Sequence, residues 1–347
     1  TLAALASAAI LVHAVFISVW AWSILRLISG FCFAGLYVVA ESWLNDRATN
    51  ENRGQILSAY MVVTYIGVGT GQLFLNLANP QGYPLFVLSS VLISIAVLPL
   101  LLSASESPEF SESVNIRMSE LFKISPLGVV SMFIEGLVTA TFFALGPIYA
   151  QRLGMGLDEI SIFMAAAVVG VIIFQWPVGA LSDRFDRRLI LTVVSFLTGF
   201  AAYGCIQFSG GSELHLYLAV ALFAGLALPL YSVCIAHTND QLDPSQMVAA
   251  SGTLVLIGGF GAIAGPLLVA ASMDHFGNQA FFWSMGIAHT ITGTFALYRM
   301  TRRKAKPLPE QGNVTPAAMH ATSSAFEYIQ QHAVEESESD PDQSNNQ

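Results

Sequence analysis

Leu36-Tyr37-Val38-Val39 and Leu230-Tyr231-Ser232-Val233 decide how this chain is read, because they lie 194 residues apart and head two matching segments. At the same offset Asn45-Asp46 returns as Asn239-Asp240, and Gly67-x-x-x-Gly71 returns as Gly261-x-x-x-Gly265. Each copy is an apolar run, a polar link and a second apolar run with glycines at helical spacing. Glycines so spaced let helices approach closely in lipid, so Gly67, Gly71, Gly261 and Gly265 are read as packing positions. Two related sets of membrane helices are the usual build of a transporter.

Composition agrees. The chain has 347 residues, 54% of them hydrophobic and 11% charged; soluble domains carry about 25% charged residues. Ten apolar runs lie near 1–20, 22–45, 55–78, 85–104, 126–150, 158–182, 189–208, 215–237, 248–272 and 279–299. Each is close to the roughly 20 residues that a spanning helix needs. In lipid each must satisfy its own backbone groups, which selects the helix. The expected fold is therefore an all-α membrane bundle of ten spanning helices. It divides into four helices over 1–104, a central loop over 105–125, six helices over 126–299 and a disordered acidic tail over 300–347.

The fourteen basic residues set the orientation. Alternate links, with the tail, hold twelve of them; Arg26 and Arg152 belong to the other side. Basic links stay inside, so the twelve-residue set and both termini are expected to be cytoplasmic. The basic cluster at 299–306 reads first as a generic stop-transfer anchor, with contact to anionic lipid heads as the further expectation. Cys32, Cys205 and Cys234 fall within apolar runs and read as buried thiols. No ligand spacing for a metal, phosphate loop or nucleophile elbow occurs. An enzyme, a cofactor or metal, and a nucleic-acid partner are therefore not expected.

Repeat geometry carries one more expectation. Three runs stand between the central loop and the second copy, but only one stands before the first. The chain thus reads as helices 3 to 12 of a twelve-helix protein, truncated at its N-terminus.

The link at 179–188 reads Gly179-Ala-Leu-Ser-Asp183-Arg184-Phe-Asp186-Arg187-Arg188. It resembles the signature loop of the major facilitator superfamily, G-x-L-[SA]-D-R-x-G-R-R. In that reading Gly179 permits close helix approach, Asp183 pairs with a base or caps a helix, and Arg184, Arg187 and Arg188 hold the link inside. Asp186 stands where the pattern has glycine. Aspartate tolerates the left-handed backbone, so a left-handed turn is expected to survive there. The partner link carries Glu41, Asp46, Arg47 and Arg53. Residues 26–60 are most similar to the YcaD-like branch of the superfamily.

The resemblance implies alternating access by two helical halves around a central cavity. Arg26, in Arg26-x-x-x-Gly30, is similar to an element linked with proton coupling; the alternative is a side chain that snorkels to the interface. Glu135, mid-run, either carries a proton or makes a structural interhelical hydrogen bond. Glu41 is read as a gate ion pair with Arg47 rather than a solute contact. His13, His237 and His289 read as satisfied or interfacial. The second apolar run of the first copy lacks the Gly-Pro of proton-driven exporters, whereas Gly265-Pro266 occurs in the second copy. The expected activity is monomeric, proton-coupled transport of a small solute; an uncoupled facilitator, a membrane sensor and an inactive fragment are the alternatives.

Overall fold

Over the described residues each apolar run forms helix, with breaks at 16–18 and 228–229. The computed structural model describes residues 1–47, 53–102, 116–242 and 244–302, with Pro307 and Gln311. The first group of helices is α1 (Leu2–Val15), α2 (Val19–Arg47), α3 (Arg53–Leu73), which runs into a short 3-10 turn at Phe74–Leu77, and α4 (Pro84–Leu102). The second is α6 (Pro126–Arg152), α7 (Leu157–Arg184), α8 (Arg187–Phe208), α9 (Glu213–Ala227), α10 (Leu230–Asn239), α11 (Pro244–Phe276) and α12 (Ala280–Arg302), preceded by a short α5 (Met118–Ile124). Among the described residues there is no strand.

Among the described residues, six helical segments are long and apolar enough to cross a membrane, counting α9 and α10 as one segment over Glu213–Asn239. Leu2–Val15 and Pro84–Pro99 are shorter apolar helices. The end of the expected central loop is itself helical. Glu120 accepts a 3.4 Å hydrogen bond from the Arg117 N–H at the start of α5, and Thr253 of α11 donates to the Ile116 carbonyl at 2.7 Å. Residues 103–115 and the expected tail, apart from Pro307 and Gln311, lie outside the described residues.

The second group packs around an aromatic cluster. Phe142 and Tyr149 of α6 meet Phe163 of α7 and Phe281 of α12 at ring-centroid distances of 4.8–6.2 Å. Glycines bring α6 and α11 together, because a Cβ at Gly136 would strike the Gly258 carbonyl and one at Gly261 the Phe133 carbonyl. Gly265 is seated against the Leu137 carbonyl in the same way. The four packing glycines do not behave alike: at Gly67 and Gly71 a Cβ would meet no described atom within 4 Å.

In the first group α1 lies against α2 and α4. Its Ser7 hydroxyl meets those of Ser90 and Ser94 at 2.6 and 3.0 Å, a polar knot between apolar helices. The two groups meet along α3 and α7. There Tyr65 donates to the Gln175 carbonyl oxygen at 3.4 Å, and the Gln175 amide donates to Ser232 of α10 at 3.2 Å. Ser161 of α7 donates to Asn76 at 3.0 Å. Helix α2 is continuous, but its repeat counterpart breaks at Leu228-Pro229 into α9 and α10. Proline has no N–H to continue the ladder, and Tyr231 and Ser232 reach back only three residues, to Leu228 and Pro229.

Candidate functional site

A cavity of about 660 Å³ opens between α2, α6, α10 and α11. Its α6 wall is Glu135, Gly136, Thr139, Ala140 and Phe143, residues that recur at helical spacing on one face. Helix α2 contributes Gly30, Phe33, Ala34 and Tyr37, and Leu228 and Tyr231 stand opposite. Ala34 with Leu228 and Tyr37 with Tyr231 are repeat counterparts at the 194-residue offset. The two related halves therefore face one cavity through equivalent positions. A pocket of this size, largely apolar with few polar groups, suits a small molecule.

Glu135 has a side chain with 0% exposure. Neither carboxylate oxygen has a hydrogen-bond partner among the described residues. Across from it, Nδ1 of His289 on α12 stands 3.8 Å from Oε1, also with 0% exposure. His289 was expected to be satisfied or interfacial; it is instead fully buried, and both ring nitrogens lack a hydrogen bond among the described residues. Arg26 is exposed on α2, one turn before the cavity-lining Gly30. It makes no side-chain hydrogen bond or ion pair among the described residues.

Glu41 is buried and accepts a hydrogen bond from the Tyr60 hydroxyl at 2.9 Å. Its expected partner was Arg47. The side chains of Asp46, Arg47 and Arg53 lie outside the described residues.

The link between α7 and α8 is a charge cluster. Gly179 is buried in α7 and Arg184 is exposed. Arg187, 2% exposed, reaches Asp240 at the end of α10 at 2.7 Å and Asp183 at 3.4 Å. One guanidinium thus ties the link to α10, using the fork of donors that arginine supplies. Asp240 was absent from the expected site, although its repeat match to Asp46 pointed to it.

Asp186 corrects the expected left-handed turn. Its φ is −54°, and among the described residues no non-glycine residue has positive φ. It serves instead as the N-cap of α8, accepting from the Arg188 N–H at 3.0 Å and pairing with the Arg188 guanidinium at 2.7 Å. Burial pushes its carboxyl up, but the hydrogen bonds and charge of Arg188 outweigh this and hold it below the usual aspartate value. Aspartate replaces the motif's glycine because a cap, not a special turn, is what α8 uses here.

Residues 127–330 match the family description Major Facilitator Superfamily. The chain belongs to this superfamily. Residues 1–120 match a second description, Sugar (and other) transporter. The MFS-type transporter YcaD of Escherichia fergusonii is 30% identical over 77% of this chain and 69% of its own length. YcaD of Salmonella arizonae is 31% identical, over 77% of this chain and 69% of its own length. Among solved structures, a variant of the E. coli fucose:proton symporter FucP has the same fold, with a TM-score of 0.53 at 15% identity. The alignment covers 86% of this chain and 81% of that one. This chain is thus a multi-pass membrane transporter of the superfamily, a family of carriers of small solutes rather than of enzymes.

Proposed function

We propose that this chain moves a small solute across a bacterial inner membrane by alternating access, as a monomer, driven by a proton gradient. In this reading ten helices cross the membrane, the Asp183–Arg188 link faces the cytoplasm, and the basic end of α12 meets anionic lipid heads. The observation that carries it is Glu135, a carboxyl group in a cavity wall with neither solvent nor a described hydrogen bond to hold its charge. A buried unpaired charge is costly, so such a group is suited to taking and releasing a proton. The proton coupling named for FucP lends analogy of fold alone. Arg26, one turn from the cavity edge, is the second coupling candidate.

The test is proton movement in proteoliposomes carrying the chain and an internal pH dye, challenged with fucose and a panel of other sugars, amino acids and organic ions. Wild type should acidify or alkalinise the lumen with one of them; Glu135→Gln should abolish this, and Arg26→Lys should weaken it. Solute flux without proton movement in all three proteins would leave an uncoupled facilitator as the reading.

A further inference from the structure

We propose that Glu135 and His289 form a buried dyad holding one exchangeable proton between them, with His289 as the inner partner that receives it from the cavity-side carboxyl group. The inference rests on reading Glu135 as the proton site, and it adds the residue that the site works with. Three observations carry it. Both side chains have 0% exposure, and Nδ1 stands 3.8 Å from Oε1. All four polar atoms lack a hydrogen bond among the described residues, and in proteins generally such buried groups tend to find a partner. And Glu135 lies on the cavity face of α6, whereas His289 comes from α12, behind it.

The two groups compensate each other. A neutral acid beside a neutral imidazole buries no net charge, and a carboxylate beside an imidazolium buries an ion pair. A lone carboxylate or a lone imidazolium is the costly state. Closing the gap by about 1 Å makes a hydrogen bond, along which the proton passes from Oε1 to Nδ1; the O–H bond breaks as the N–H bond forms. Other titratable groups stand near. Cys234 lies on α10, and Tyr231 lines the same cavity. Glu120 and Lys123 lie on the short α5, and the charged groups of α7, α8, α10 and α11 lie at helix ends, as with Arg184, Arg187, Asp240 and Asp274. Tyr203 and Cys205 are in the last turns of α8. None of these stands between Oε1 and Nδ1.

The test needs no solute. Infrared difference spectra of the full chain in lipid nanodiscs, taken across a pH series, report protonated buried carboxyl groups, and 15N NMR of the histidine rings reports Nδ1. The dyad predicts a carboxyl band that is absent in Glu135→Gln. In His289→Gln the midpoint of that band should move by about one pH unit or more, a tenfold change in proton affinity. In wild type, His289 Nδ1 should change in the same pH step as the band, a measurement that depends on no variant folding. If the band belongs to Glu135 but ignores His289, the dyad is wrong and the Glu135 reading stands. If no band disappears in Glu135→Gln, both fail.

Discussion

At the scale of single residues, the charge cluster at the α7–α8 link makes the sharpest forecasts. Arg187 is wholly enclosed and serves both Asp183 and Asp240. Removing it leaves two carboxylates beside α10 without that partner, and breaking a buried pair costs about 3–5 kcal/mol. Arg187→Gln should therefore lower the thermal unfolding midpoint in detergent strongly, and Arg187→Gln with Asp240→Asn should lose less than the sum of the two single changes. Asp186 makes a different forecast, because its folded carboxyl is held below its unfolded value. A depressed acid stabilises above its unfolded value and loses that contribution as pH falls through the folded one. The difference in unfolding midpoint between wild type and Asp186→Asn should thus be full at neutral pH and shrink below about pH 3.9. Asp186→Ala, which also loses the cap, should cost about 1 kcal/mol more broadly. The motif's identity was legible in the sequence, but Asp186's role was not. Turn and cap use the same residue types, and only the backbone path chooses between them.

At the scale of helices, the apolar runs announced the elements because lipid leaves the backbone no other solution. What spacing could not announce is which neighbour each small residue meets. Gly261 and Gly265 lie against carbonyls of α6, whereas Gly67 and Gly71 meet nothing described, although all four have the same i, i+4 spacing. Spacing fixes a face of one helix; a contact needs two. Gly261→Ala should overpack α6 against α11 and cost about 1–3 kcal/mol. Gly67→Ala should be neutral or stabilise by up to about 1 kcal/mol through helix propensity. Equal losses at both sites in thermal unfolding would contradict this packing. The break at Leu228-Pro229 was visible as a proline but not as an interruption, since membrane helices often carry proline without ending. Pro147, Pro177 and Pro266 do so here.

At the scale of the molecule, the 194-residue repeat predicted two related halves, and the cavity is where the relation becomes physical. Tyr37 and Tyr231, and Ala34 and Leu228, line it as counterparts. His289 has no such counterpart in the quoted repeat, which is why the reading by repeat and motif passed over it. Its importance comes from a neighbour far away in sequence, Glu135. Orientation is the remaining whole-molecule property, and it follows from basic residues rather than from packing. The span from Glu213 to Asn239 begins at the exposed Ser212, and α12 ends beside the exposed Thr301. The proposed topology places Ser212 outside and Thr301 inside. The three native cysteines are buried, so introduced thiols report against a quiet background. In intact cells a membrane-impermeant maleimide should label Ser212→Cys and spare Thr301→Cys until the membrane is opened. Labelling of both before opening would put the two ends on one face. The basic links would then no longer mark the cytoplasm, and the Arg187 cluster would lose its place at an inner gate.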